Sequence, residues 1–162
     1  MSEDGGTSTI RLVGLPVALW SKAQETGAEL VREFTLIALG DAPDGHDLPQ
    51  RLVALLHQLT TTYGDLGEAQ TALLQRAALA GIETLDELVY DVPPSAASAA
   101  VELALMLDEC DDYCKAGKHL LTLAAEPDVK AFRWWFLGEV RAQASGEPPT
   151  SWAESLWALS LD

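Results

Sequence analysis

The densest group of potentially reactive side chains lies between residues 108 and 119. It comprises Asp108, Glu109, Cys110, Asp111, Asp112, Tyr113, Cys114 and His119. Carboxylates, thiolates and imidazoles are all metal ligands, so a metal-dependent enzyme that uses the carboxylates of residues 108–112 is one hypothesis. The spacing does not match a familiar zinc site, however, and Cys110 and Cys114 continue the apolar stripe of a predicted helix. We therefore expect buried thiols and no bound metal or cofactor.

Histidine, serine and glycine patterns do not indicate an active site. His46, His57 and His119 fall on separate predicted elements, and none stands beside a carboxylate in a way that suggests a general base. The sequence contains no nucleophile elbow and no glycine-rich phosphate loop. We therefore predict that the protein is not an enzyme.

Aromatic residues give a signal for binding. Residues 132–136 read Phe-Arg-Trp-Trp-Phe, and their four aromatic rings cannot all point into one core. If the first, fourth and fifth of these residues point inward, Trp134 points outward or sideways, where Trp and Arg are typical of interface hot spots. The alternative is a wide helix face that touches two neighbours. The C-terminal segment adds Trp152 and Trp157, and a segment so apolar must pack on its own domain or on another chain.

Charge excludes two classes of partner. The 162 residues carry 25 Asp and Glu against 10 Lys and Arg, a formal net charge of -15, which argues against nucleic acid and against an anionic membrane. The hydrophobic fraction of 48% is too high for a disordered acidic chain. Between Arg76 and Lys115 there are nine acids and no base. We expect a protein partner that brings basic residues to residues 83–112 and that salt displaces, or self-association of opposite faces.

These observations select a set of candidate partner-binding residues on two predicted helices and the C-terminal segment. The set is Asp108, Glu109, Asp111, Asp112, Trp134, Trp152 and Trp157. A small-molecule ligand is left open: an apolar molecule between helices near Phe132 and Trp135 would make the protein a sensor.

The apolar spacing predicts a mainly α fold, about a five-helix bundle with a small two-stranded β element. Helices are expected over about 16–39, 49–63, 68–80, 95–114 and 127–144. Residues 9–13 and 88–92 have strand character and could pair, packed on the bundle, because an isolated strand pair is marginal. Within the second strand, alternation predicts that Leu88, Tyr90 and Val92 face the core while Glu87 and Asp91 face water.

The predicted domain organisation is simple. Residues 1–8 are expected to be a disordered lead-in, residues 9–149 a single helical domain, and residues 150–162 an amphipathic tail that begins with a capping box of Ser151 and Glu154. The acidic N-terminus does not resemble a signal peptide, and no apolar run approaches the length of a bilayer span. The two cysteines do not form a secreted disulfide pattern, so a cytoplasmic location is expected.

Several short phrases together resemble a known family. They are residues 11–17 (RLVGLPV), 29–34 (ELVREF), 90–94 (YDVPP), 132–135 (FRWW) and 146–149 (GEPP). They are similar to an uncharacterised family of small actinobacterial proteins that accompany anti-sigma-factor kinases and anti-anti-sigma (STAS) proteins, over residues 9–152. Family members often have a histidine in the first long helix. Residues 22–27 here contain none, which argues against a phosphotransfer role for that helix.

The sequence thus favours a non-enzymatic regulatory or adaptor protein that acts by protein–protein interaction. The resemblance implies a bacterial sigma-factor or stress pathway. The sensor with an apolar pocket between helices and the metal-dependent enzyme are the alternatives.

Overall fold

A computed structural model describes residues 6–39, 48–64, 67–115 and 126–160, without the side chains of residues 37–39, 48–49, 113–115 and 157–160. In these ranges the chain forms β1 (Ser8–Pro16), α1 (Val17–Leu39), α2 (Leu48–Tyr63), α3 (Glu68–Leu79), β2 (Thr84–Val92), α4 (Ala96–Lys115), α5 (Pro127–Ala144) and α6 (Trp152–Ser160). The prediction of a mainly α fold with a small two-stranded β element is confirmed.

The C-terminal segment forms a sixth helix, and the predicted capping box starts it. Glu154 accepts a hydrogen bond from the Ser151 backbone N–H at 2.9 Å, and its own N–H donates to Ser151 Oγ at 3.1 Å. Hydrogen bonding of the Glu154 carboxyl to the backbone and then to the side chain of Ser151 lowers its pKa. At the other end of the chain, Ser8, which the sequence assigns to the lead-in, begins β1 opposite Val92.

The two strands pair antiparallel, from Ser8 opposite Val92 to Pro16 opposite Thr84. The predicted alternation is confirmed, since Leu88 and Val92 are buried and Tyr90 is half-buried, whereas Glu87 and Asp91 are exposed. Burial raises the pKa of the Tyr90 hydroxyl to about 12.

Gly14 allows the first strand to run further than the sequence predicts. Leu12 and Leu15 are both fully buried in one cluster, although strict alternation would send residues three apart to opposite faces. Between them Gly14 has φ +67°, a conformation open mainly to glycine. This backbone turn brings both leucines to the same core, so Gly14 reorients the strand where the sequence suggested that it ends.

Glutamine side chains cover both edges of the sheet at one cross-strand pair, Arg11 opposite Val89. Gln143 of α5 accepts from the Arg11 N–H at 2.8 Å and donates to the Arg11 carbonyl at 2.9 Å, as a neighbouring strand would. On the other edge, Gln70 of α3 donates to the Val89 carbonyl at 2.7 Å. Glu139, a buried acid of α5, accepts from Gln143 Nε2 and from the Thr150 N–H, which fixes the chain after α5.

Among the residues that the structure describes, the larger of two hydrophobic clusters lies beneath the sheet, and we call it the sheet core. Its buried members are Ile10, Leu12, Leu15, Val17, Trp20, Leu74, Ala77, Leu88, Val92, Ala96, Phe132 and Trp135. Aromatic rings close its α5 side: Trp152 packs on Phe132 and Trp135 with centroids 5.9 and 5.6 Å apart, and Tyr90 meets Phe136 edge-on at 5.9 Å.

The smaller cluster, which we call the helical core, lies between α1, α2 and α4. Its buried members are Leu30, Phe34, Leu52, Leu55, Met106 and Cys110. Cys110 is therefore buried, as its place in the apolar stripe predicts. Cys114 lies outside the residues whose side chains are described. None of the helices in the described part of the chain is both long and apolar enough to cross a bilayer.

Candidate functional site

A groove runs between α2 and α4 above the helical core. Its volume is about 450 Å³, and it is lined by Arg51, Ala54, Leu55, Gln58, Glu102, Leu105, Met106 and Glu109. On each helix the lining residues follow the spacing i, i+3, i+4, i+7, which places them on one face. The groove is thus the meeting line of two helical stripes.

The floor and the walls of the groove differ in exposure. Leu55 and Met106, at the floor, are buried members of the helical core. Leu105, on the wall, is 55% exposed, and Ala54 opposite it is also exposed. The protein therefore leaves a strip of apolar surface in water on top of its smaller core.

Polar side chains mark the two ends of the groove. At one end Arg51 reaches across from α2 to Glu109 on α4, with Nη2 3.2 Å from Oε1. Both side chains are about half exposed, so this contact crosses the surface and is not part of the interior. At the other end lie Gln58 and the exposed Glu102.

The acidic run of α4 is divided between two neighbours. Asp111 is buried, with a side chain 4% exposed, and its Oδ2 lies 2.6 Å from Arg133 Nη2 of α5. Asp108 meets the same guanidinium at 3.2 Å and also accepts from Trp134 Nε1 at 3.1 Å. These two acids hold α4 to α5 and do not form the exposed docking face that the sequence predicts for them.

The remaining acids of the run face water. Glu109 turns the other way, into the groove, and Asp112 is exposed. Trp134 is 40% exposed, so its ring is accessible while its N–H is held by Asp108. Of the predicted α4 and α5 candidates, only Glu109 lines the groove.

The two tryptophans predicted as partner-binding residues in the C-terminal segment are Trp152 and Trp157. Trp152 is half-buried and packs on the sheet core through Phe132 and Trp135, so the start of the tail is seated on its own domain. Trp157 lies in α6, but its side chain is outside the described residues. Phe132 and Trp135, the suggested walls of an apolar ligand pocket, pack against each other with centroids 5.9 Å apart.

Metal-ligand side chains are dispersed in the described ranges. No group of three or more His, Cys, Asp or Glu residues that could hold a metal occurs there. Of the three histidines, His57 is exposed on α2, whereas His46 and His119 lie outside the described residues.

An exposed cluster of charges ties α1 to the start of α5. Lys22 Nζ lies 2.9 Å from Glu126 Oε1 and 3.1 Å from Asp128 Oδ2. Hydrogen bonds to Glu126 and Asp128 raise the pKa of Lys22, and the bond from Lys22 lowers the pKa of Asp128. All three groups are exposed, so the cluster is a surface contact between two helices and offers no enclosed site.

Sequence reasoning missed most of the groove, including every residue that α2 contributes. One signal was present, because Leu105 and Met106 are adjacent and cannot both follow a single narrow apolar stripe. The pairing of that face with Arg51 and Ala54 depends on how two helices distant in sequence pack together.

No family model, curated protein or solved structure matches this chain.

Proposed function

We propose that this protein is a non-enzymatic regulatory or adaptor protein that acts by binding another protein. The observation that carries the proposal is the α2–α4 groove, where Leu105 is 55% exposed directly above the buried Met106. Apolar surface of this kind, bordered by polar residues, is typical of protein interaction sites.

The openness of the groove favours a macromolecule over a small ligand. Ligand pockets bury most of the surface of their ligand, whereas here Ala54, Gln58 and Leu105 are exposed along the walls. The apolar pocket suggested between helices near Phe132 and Trp135 is less favoured, because those rings pack on each other and on Trp152.

The pathway we propose is partner switching in bacterial sigma-factor or stress signalling, in the cytoplasm. Its support is the resemblance of the short phrases over residues 9–152 to proteins that accompany anti-sigma-factor kinases and STAS proteins. An acidic adaptor with an open groove is compatible with such exchange of partners, since the affinity for a charged partner depends on the charges that border the groove.

The test uses two variants that differ only in position. Leu105→Asp puts a charge in the groove, and Leu79→Asp makes the same change on α3, where Leu79 is 89% exposed and outside the groove lining. Immobilised wild type and both variants are exposed to lysate of the source organism. We expect a protein that wild type and Leu79→Asp retain and that Leu105→Asp loses.

The retained protein is then purified and its binding to all three chains is measured by calorimetry. A dissociation constant raised about tenfold or more by Leu105→Asp alone supports the proposal. Equal binding to both variants would show that the groove is not the site, and a substrate converted by the purified chain would overturn the non-enzymatic function.

A further inference from the structure

The α2–α4 groove has a defined length and direction. Its two stripes begin at Arg51 on α2 and at Glu102 on α4. The contact between Arg51 and Glu109 joins the start of one stripe to the end of the other, so the helices run antiparallel along the groove. At 1.5 Å per residue each stripe covers about 10 Å, or two helical turns. The groove therefore matches the contact face of a short helical segment.

The centre of the groove is apolar on both sides. Ala54 and Leu55 face Leu105 and Met106, and the small Ala54 side chain leaves room beside the larger Leu105. Helices pack by inserting side chains between such rows, so a partner helix with one or two large apolar residues would fill this space. It would also cover the exposed part of Leu105.

The two ends of the groove differ in charge. At one end, Glu109 is paired with Arg51 of the same chain. Glu102 lies at the opposite end beside Gln58, and α4 brings no base of its own near it, since no Lys or Arg occurs between Arg76 and Lys115. Among the residues that line the groove, Glu102 is therefore the acid that faces no lining base.

We propose that the groove binds a two-turn amphipathic helical segment of a partner protein, with apolar side chains over Leu105 and Met106 and a Lys or Arg at Glu102. This inference rests on the proposed function and specifies the chemistry of the partner. It fixes a direction for the bound helix, because its basic residue must lie at the Gln58 and Glu102 end.

Charge also argues against a second copy of this chain as the occupant. Each copy has a formal net charge of -15, so two copies repel each other as they approach. Of the three bases on α5, Arg133 is already held by Asp108 and Asp111, so it does not offer its charge to Glu102 of another copy. A basic helix from another protein has no such cost.

The probe is a fluorescein-labelled peptide of about 18 residues made of Leu and Lys with one apolar face, long enough to be helical. A peptide with Glu in place of Lys is the control. Fluorescence anisotropy is measured with the full chain at about 50 mM and about 300 mM salt. We expect the Leu/Lys peptide to bind, to weaken with salt, and to bind far more tightly than the Leu/Glu peptide.

Matched variants locate the contact. Leu105→Asp should weaken the Leu/Lys peptide about tenfold, and Leu79→Asp should not. Glu102→Gln should weaken it about two- to fivefold and reduce the salt dependence, whereas Glu25→Gln on the exposed face of α1 should leave both unchanged. Ala54→Arg, which fills the groove from α2, is the second blocking variant if Leu105→Asp loses its helical circular dichroism.

Three results would overturn the inference. If the Leu/Lys and Leu/Glu peptides bind equally, or if Glu102→Gln and Glu25→Gln have equal effects, then the groove does not recognise a basic residue at Glu102. If the peptide binds equally to the groove variants and to the control variants, then the groove is not the binding site. Native mass spectrometry that finds a dimer or a small-molecule adduct in wild type and Leu79→Asp, lost in Leu105→Asp, would assign the groove to another occupant.

The basic-helix inference can fail while the proposed adaptor function holds. This is the result if binding of the lysate partner depends on Leu105 but binding of the Leu/Lys peptide does not.

Discussion

The sheet core and the helical core differ in how completely the protein's own side chains close them. The sheet core is closed by aromatic rings from α5 and α6, and Gln143 and Gln70 cover the edges of its strands. The helical core has half as many buried members in the described residues, and two of them, Leu55 and Met106, form the floor of the open α2–α4 groove. We therefore expect the sheet core to contribute more to stability, whereas the helical core leaves apolar surface exposed in the groove.

The largest expected effect on the free energy of unfolding comes from truncating one buried residue in each core. Phe132→Ala removes a buried ring that packs on Trp135, Phe136 and Trp152, and should lower the free energy of unfolding by about 3–5 kcal/mol. Met106→Ala, at the floor of the open groove, should cost about 2 kcal/mol, because water already reaches the site beside it. Urea denaturation followed by circular dichroism measures both. Equal losses would show that the helical core is as tightly closed as the sheet core.

The next comparison sets the buried ion pair of Arg133 against the exposed pair of Arg51. Arg133→Met leaves the buried Asp111 carboxylate without its guanidinium, and should lower the free energy of unfolding by about 3 kcal/mol. Arg51→Met breaks a contact between half-exposed side chains and should cost at most about 1 kcal/mol.

A double variant separates the loss of a charge partner from the loss of packing. Combining Arg133→Met with Asp111→Leu removes both charges, so part of the stability lost in Arg133→Met should return in denaturant titrations. If Arg51→Met were as harmful as Arg133→Met, the groove end would be a structural clamp and not a surface contact.

High pH provides a test of closure in the sheet region. Burial raises the pKa of Tyr90 from 10.0 to about 12, so the unfolded chain ionises first. The stabilisation is present below pH 10 and is lost as the pH rises from about 10 to about 12, a loss of about 2 kcal/mol. Tyr90→Phe should not show this component, so the difference between the two pH profiles isolates it. Identical profiles would mean that water reaches the Tyr90 hydroxyl.

Local patterns in the sequence were sufficient for most of the fold. Pro127 at the first turn and the break after residue 144 define α5 with the bounds that the structure has, and the alternation of Leu88, Tyr90 and Val92 gives the buried face of β2. The strands are longer than predicted, because Gly14 and Pro16 are usually terminators, whereas here the positive φ of Gly14 continues the strand in a new direction.

The candidate site needed information that local patterns do not contain. Residues 108–112 form one acidic run in the sequence, but helical geometry sends Asp108 and Asp111 towards α5 and Glu109 towards α2. Which neighbour lies on each side depends on the packing of whole helices. The apolar stripe predicted for α4 contains Cys110 but not the groove face with Leu105 and Met106, and the pairing of that face with Arg51 and Ala54 was not predicted either.

The smallest expected effect comes from replacing a glutamine by alanine, once at the covered sheet edge and once at the open groove. Gln143→Ala removes two hydrogen bonds to the Arg11 backbone and one to the buried Glu139, and should lower the free energy of unfolding by about 1–2 kcal/mol. Gln58→Ala, at the exposed end of the groove, should change it by less than about 0.5 kcal/mol. Hydrogen exchange of the Arg11 amide should rise in Gln143→Ala alone, since that amide loses its acceptor at the strand edge. Unchanged exchange there would mean that water replaces the glutamine without loss, and the sheet edge would then be no better closed than the groove.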